Sequence, residues 1–396
     1  MSGHLDRLGE KPIFENSLGA FYLTLTRGLG FKFLQEGKTM GLAAYGQDTY
    51  VDEFSQFYEC SAETGSYKLT REHISLMNTF IDRILSAATN DHDLFQRKAN
   101  LAYAGQYHTE DAIIKLCRYL YKKTKVDTLC LAGGVALNSV ANYKILEHTP
   151  FKKIFVQPAA GDAGTAIGSA LYGNFIIGDQ PWQPANSFFS PYLGKTYSND
   201  DVEDALNRYK DVITVEEPVD LFGMVSKKIA EGNIIGFFHG QSEIGPRALG
   251  NRSILADPRN PDMKDTINLR IKHREPFRPF APIILEEHQT QYFAMEHPSH
   301  YMLFVPPIHD AKHEVIPSVT HYDGTGRVQT ISQKINPVLH GLLEAFYKET
   351  GVPVLLNTSF NDNEEPIVES PMDAVKCFLT IDLDYLVLEK YIIRKK

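Results

Sequence analysis

Arg247, Arg252, Arg259, Arg270, Lys272, Arg274 and Arg278 all fall within residues 241–282 (QSEIGPRALGNRSILADPRNPDMKDTINLRIKHREPFRPFAP). They alternate with Pro, Gly and aromatic residues and trace no helical stripe, so the spacing predicts several loops. Guanidinium forks bind phosphate or carboxylate through paired hydrogen bonds, and loops converging on one point would hold a single multiply charged anion. A solvated basic face with scattered ion pairs is the competing reading. In VTHYDGTGRVQTI (319–331), His321, Asp323 and Arg327 surround a Gly-rich turn. His321 reads as a satisfied, partly buried histidine, because nearness in sequence to Asp323 does not establish a catalytic pair. Arg327, its stem fixed by the turn and the VQTI strand, suits the anion site. In LLNTSFNDNEEPIV (355–368), a strand delivers Asn357, Thr358, Ser359 and Asn361 into a loop. They are neutral hydrogen-bonding groups for phosphate oxygens, or the caps of an ordinary Asx or Ser/Thr turn.

Two Gly-rich loops form a second constellation. In LAGGVALNSVANYKI (131–145), Gly133 and Gly134 permit close backbone approach to a ligand, and the following helix would present free N–H groups to it. Asn138 is placed to meet an adenine edge or a ribose; a tight turn that merely allows strand–helix packing is the alternative. In PAAGDAGTAIGSAL (158–171), Asp162 reads either as a helix N-cap or as an oxygen ligand to a metal or ribose. GKTMGLAAYG (37–46) would line a phosphate or serve as a connection packed on the core. No GxSxG, Walker or HExxH motif is present, which points to electrostatic positioning of a phosphorylated substrate rather than nucleophilic catalysis.

The elements that must carry these groups follow from periodicity. Apolar residues at three- and four-residue spacing predict a helix over 93–123. Strand, Gly loop and helix then succeed one another twice: strand 128–132 and helix 137–146, then strand 153–157 and helix 165–172. That succession predicts α/β architecture with both loops opening on one crevice. Residues 178–197 read as an interdomain connection. Beyond it, helices over 202–209, 221–231 and 372–379 and strands over 233–238, 279–284, 352–357 and 383–388 predict an α+β or open twisted sheet.

The 396 residues suggest two or three domains, and 43% hydrophobic with 22% charged residues is ordinary for a globular protein. Forty Lys and Arg against 49 Asp and Glu give a net charge of −9, which disfavours nucleic acid as a partner. No apolar run spans a bilayer, and MSGHLDRLGEKP has no secretory apolar core, so a cytoplasmic protein without membrane contact is expected. Cys60, Cys117, Cys130 and Cys377 form no CxxC pair and are expected as free core thiols.

Taken together, GKTMGLAAYG, LAGGVALN, PAAGDAGTAIGSAL, GQSEIGPRALGNRSILADPR, REPFRPFAPIIL, THYDGTGRVQTI and LNTSFNDNEEPIV resemble, in order, the motifs of the O-carbamoyltransferases of nodulation and antibiotic biosynthesis. The resemblance implies a partial actin-like ATPase (Kae1-like) carbamoyl-transfer domain over 1–186, a linker over 187–199, and a YrdC-like α+β open twisted sheet domain over 200–396. The second domain would make carbamoyl adenylate from carbamoyl phosphate and ATP, accompanied by Mg. The first would pass the carbamoyl group to an acceptor hydroxyl on a sugar, a Nod-factor-like molecule or an antibiotic. Arg247, Lys272, Arg278 and Arg327 would be catalytic and, with Asn357 and Ser359, hold carbamoyl phosphate. Gly133, Gly134, Asn138 and Gly161 would hold adenosine, and Asp162 would bind iron or a similar divalent metal. Family members carry, before the GLAAYG region, a segment with a histidine pair four residues apart; the stretch before GLAAYG here holds no such pair. A complete metal site is therefore not expected from these residues, and a homo-oligomer or a separate subunit supplying that half is. A tRNA threonylcarbamoyl-type protein and a partial nucleotide-binding subunit are the alternatives.

Overall fold

The computed structural model describes residues 16–181, 189–363 and 365–396. It forms two compact units. The first comprises the described residues up to Thr128 together with Lys144–Lys152. The helix predicted over 93–123 runs Asp91–Thr124; Asn90 caps it by accepting from the Asp93 N–H, and Lys125 ends it at φ 57°. The helices Leu18–Gly28, Glu36–Ala43 and Arg71–Ser86 pack on it, with a hairpin of β1 (Glu59–Ser61) and β2 (Ser66–Lys68). Phe21, Phe54, Phe57 and Phe80 fill the interior, mostly edge to face. Gly46 closes the GLAAYG segment directly against the Ala99 carbonyl, where a Cβ has no room. Residues 37–46 thus follow the core-connection reading.

The second unit holds Leu129–Tyr143 and the described residues from Lys153 onward. Strands β3 (Thr128–Leu131) and β4 (Lys153–Val156) form a two-stranded sheet. The helix Thr165–Tyr172 matches its predicted span. That predicted over 137–146 begins later: Gly134–Leu137 is a 3-10 turn, and Asn138 accepts from the Ala141 N–H to start the helix Ser139–His148.

The remaining strands build one mixed sheet. They are β5 (Ile213–Glu216), β6 (Ile235–Phe238), β7 (Arg252–Ala256), β8 (Ala281–Leu285), β9 (Gln329–Ile331), β10 (Val354–Ser359), β11 (Tyr385–Leu388) and β12 (Tyr391–Lys395), in the order β5-β12-β11-β6-β7-β10-β8-β9. The β11–β6 and β8–β9 pairs are parallel and the other pairs antiparallel. IGFF, RSILA and APIIL are buried at every position, as strands covered on both faces must be. On one face the helices Leu221–Ala230 and Pro337–Thr350 pack together, burying Val225, Ile229, Leu339, Leu342 and Phe346 against Ile235, Phe237, Leu255 and Leu355. The helices Asn199–Arg208 and Pro371–Thr380 pack together elsewhere on the sheet, the latter against β6 and β11. Ser198 and Ser370 start them in reciprocal capping boxes with Asp201 and Asp373.

The basic segment is less loop-like than its composition predicts. Arg252 opens β7 and is fully buried; its guanidinium donates to the carbonyls of His239, Gly240, Asn251 and Glu369 and lies over the Phe238 ring. Arg259 forks onto Asp257, with Nη2 2.6 Å from Oδ2. Arg270 ends the helix Met263–Arg270 and reaches Asp382 at 2.7 Å and Asp384 at 3.5 Å. These three cations are structural and do not join a common anion site. The thiols are all free; Cys117 and Cys377 are buried, whereas Cys60 is half-buried and Cys130 exposed, so the core expectation holds for two of them.

Replacing Arg252 by Met keeps most of the volume but removes every donor to those carbonyls. The expected loss is about 3 kcal/mol in urea unfolding. Lys at this position should fail to rescue it, because one ammonium cannot span the same set of acceptors.

Candidate active site

The cations left over gather in the second unit. Arg247 comes from the loop between β6 and β7, Arg274 and Arg278 from the chain after the helix Met263–Arg270, and Arg327 from the approach to β9. Burial, and then repulsion, weakens the hold of these groups on their protons. Arg278 acts on Arg247 and on Arg274, while Arg247, Arg274 and Arg278 all act on Arg327. The pKa is pushed down to about 10 at Arg247 and about 9 at Arg274. Guanidinium remains charged at neutral pH, so the shifts report positive charges crowded without an adequate counter-ion. Arg278 approaches Glu275 at 3.8 Å, and Arg274 donates to Asn268 Oδ1 at 2.7 Å. The Nε–H groups of Arg247 and Arg327 are buried with no acceptor among the described residues. Such an array attracts an anion with several oxygens.

Lys272 is present but differently employed. Its ammonium donates to Ser359 O at 2.6 Å, Asn361 O at 2.8 Å and Asn361 Oδ1 at 2.9 Å. Its three protons are therefore engaged in tying the chain after the helix Met263–Arg270 to the loop after β10. Burial, reinforced by Arg274, pushes its pKa down to about 7. Ser359 donates its hydroxyl to Asn361 Oδ1 at 2.6 Å, within the same knot. Asn357, on β10, is buried and donates Nδ2–H to Ala248 O at 3.0 Å, bracing the loop that presents Arg247. Arg274 belongs with the cluster although no motif role singled it out; its place in the basic run was the available signal. Asp323 accepts from the Thr325 N–H and hydroxyl, so it closes its own turn. His321 Nδ1 meets Thr325 Oγ1 at 3.1 Å, and burial pushes its pKa down to about 4, leaving it neutral. The two do not form a catalytic pair.

The Gly loops lie side by side. Gly133 N–H donates to Ala160 O at 2.7 Å, bridging the ends of β3 and β4. Gly133 has φ 103°, and a Cβ on Gly133 or Gly134 would meet nothing within 4 Å. A Cβ on Gly161 would stand 3.9 Å from Gly134 Cα. The paired glycines leave open space suited to a flat or phosphorylated ligand. A Cβ on Gly245 would come within 2.5 Å of Pro158 O, so the segment leading to Arg247 packs on the second Gly loop. Asn138 gives its side-chain oxygen to the helix start. Glycines, Gly161 and Gly164, hold the cap positions of the turn and of the helix that follow, so Asp162 is not the N-cap, and it is exposed. Among the described residues no three His, Cys, Asp or Glu side chains form a group fit for a metal, and Asp162 alone does not fit one.

Two glycine turns thus adjoin the segment that leads into a half-buried guanidinium array, and comparison with known proteins gives the family. The Carbamoyltransferase N-terminus model matches residues 4–171 and the Carbamoyltransferase C-terminus model residues 226–395. The nodulation protein NolO of Bradyrhizobium diazoefficiens is 40% identical over 386 residues, covering 96% of this chain and 69% of that protein. The nodulation protein NolNO of Sinorhizobium fredii is 41% identical over 388 residues, covering 96% of this chain and 56% of that protein. The chain belongs to the carbamoyltransferase family and so is a transferase. Among solved structures, full-length HypF in a phosphate- and nucleotide-bound form shares 13% identity at a TM-score of 0.29, over 46% of this chain and 22% of that one. That level establishes no common fold. No helix among the described residues is long and apolar enough to cross a membrane.

Two outcomes follow from the crowded charges. Arg327→Met should raise the stability of the ligand-free protein by about 1–3 kcal/mol, since it removes a buried charge without a counter-ion, and should reduce the rise in Tm produced by inorganic phosphate. Lys272 has a folded pKa near 7, below its unfolded value of 10.5. The unfolded chain then binds the extra proton between those values, so this group's effect on stability becomes more favourable as pH climbs from about 7 towards 10.5. Urea unfolding at pH 7 and pH 9 should show a smaller pH increment in Lys272→Met than in the unmodified protein.

Proposed function

We propose that this chain is an ATP-dependent O-carbamoyltransferase that forms carbamoyl adenylate from carbamoyl phosphate and ATP and passes the carbamoyl group to an acceptor hydroxyl. The observation that carries the reading is the convergence of Arg247, Arg274, Arg278 and Arg327, half-buried and mutually repelling, in a chain of this family. Carbamoyl phosphate supplies the missing negative charge. Water cleaves it to carbamate and phosphate; a carbamate oxygen then attacks the α-phosphorus of ATP, and pyrophosphate leaves. The arginines hold the phosphate oxygens and stabilise the charge that develops. Lys272, Ser359 and Asn361 fix the shape of the pocket wall rather than reach into it. Gly133, Gly134 and Gly161 leave the space in which adenosine would lie, and Mg would accompany the ATP phosphates. No step is assigned to iron, because Asp162 has no companion ligands among the described residues.

In this reading residues 1–186 are the partial Kae1-like transfer domain, 187–199 the linker, and 200–396 the YrdC-like activating domain. The two family models end and begin on either side of that linker, at 171 and 226. The compact units part elsewhere, after Thr128, so the proposed boundary is one of chemistry rather than packing. The chain spans 69% of the length of NolO and 56% of that of NolNO, so the transfer step and its acceptor belong to the proposal. Leu171, Tyr172, Ile176 and Ile177 are 48–76% exposed along one helical stretch, which favours association with a further subunit or a second copy. A cytoplasmic location accords with soluble phosphorylated substrates.

The test is release of pyrophosphate from ATP that depends on carbamoyl phosphate, with one phosphate released per pyrophosphate. Arg278→Ala should lower the rate by about two orders of magnitude, a loss of about 2–4 kcal/mol in transition-state stabilisation. Unchanged release in that variant would remove the assignment of this cluster.

A further inference from the structure

Two buried carboxamides lie under the loop that presents Arg247. Gln329 stands on β9 and Asn357 on β10, at 0% and 1% exposure. Gln329 donates Nε2–H to Leu249 O at 2.8 Å, and Asn357 donates Nδ2–H to Ala248 O at 3.0 Å. Only an amide nitrogen can serve a carbonyl, so these contacts fix which end of each amide is which. A planar amide whose nitrogen faces the 248–249 backbone turns its oxygen away from it. Both oxygens, Gln329 Oε1 and Asn357 Oδ1, are buried and have no donor among the described residues.

The orphaned donors and acceptors are interleaved in sequence. Arg247 Nε–H immediately precedes the Ala248–Leu249 carbonyls, and Arg327 Nε–H lies two residues before Gln329. The locality thus offers two unsatisfied N–H groups and two unsatisfied oxygens, beside the unpartnered ring nitrogen Nε2 of His321. Phosphate oxygens satisfy the first kind alone. A ligand that also carries its own N–H group satisfies both, and buried polar groups left unpaired are costly enough to discriminate between ligands.

We infer that Gln329 is the specificity determinant that reads the NH2 group of the ligand in the arginine cluster, setting carbamoyl phosphate apart from acyl phosphates of the same shape. The inference rests on the reading of that cluster as the carbamoyl phosphate site. Acetyl phosphate is the discriminating probe, since it replaces NH2 by a methyl group of similar size and keeps the phosphate.

Calorimetric titration of the full chain with carbamoyl phosphate, acetyl phosphate and inorganic phosphate tests it. The unmodified protein should prefer carbamoyl over acetyl phosphate by at least about tenfold, the worth of one well-made hydrogen bond to a buried group. Gln329→Met should shrink that ratio several-fold. Equal affinities for carbamoyl and acetyl phosphate in the unmodified protein overturn the inference even if Gln329→Met does not fold, and so does an unchanged ratio in a folded Gln329→Met. Absence of carbamoyl phosphate binding alongside normal folding overturns the reading of the cluster itself, and this inference with it.

Discussion

Like charges held together and half withdrawn from water are the constraint around which the second unit is arranged. Four guanidinium groups repel one another, and Glu275, 3.8 Å from Arg278, offsets only part of that repulsion. Such an arrangement persists only where the surrounding structure over-determines it. The means are visible. Asn357 and Gln329 grip the carbonyls of 248 and 249, Glu243 accepts from the N–H groups of Leu249 and Asn251, and Lys272 ties the chain after the helix Met263–Arg270 to the loop after β10. The sheet supplies the rigid base, because β10 lies between β7 and β8, both of which are buried at every position.

The contrast between neighbouring cations shows how the same residue type is put to different ends. Arg252 is as buried as any group in the molecule, yet four carbonyls and the Phe238 ring satisfy it. It braces. Arg259 and Arg270 have carboxylate partners and cannot contribute much free positive charge. Arg247 and Arg327 have neither form of compensation at Nε. Shortage of partners, rather than number of arginines, separates a binding site from a scaffold here.

Much of the architecture was legible because periodicity and Gly loops carry local signals. The helix Thr165–Tyr172 matches its predicted span, and the long helix Asp91–Thr124 differs from its predicted span by two residues at one end and one at the other. Strand β7 was not legible, since an arginine-rich, proline-flanked segment does not read as a buried strand until the carbonyls that receive Arg252 are known. The site was legible in its residue types and only partly in their duties. Lys272 and Asn138 are polar and near the loops, as expected, but their hydrogen-bonding groups are committed to the chain itself, and such commitments depend on contacts far apart in sequence. Gln329 carried no signal of its own, because one amide in VQTI looks like any other strand residue.

The grip of Arg252 reaches beyond its own neighbourhood. Its acceptors come from His239 and Gly240 just after β6, from Asn251 just before the strand it opens, and from Glu369, 117 positions later in the chain. No one of these pieces can shield the guanidinium alone. A partly assembled intermediate would have to leave that charge hydrated, which favours closing the three pieces in concert. The central strands should therefore exchange their amide protons as one cooperative block rather than fray from the ends.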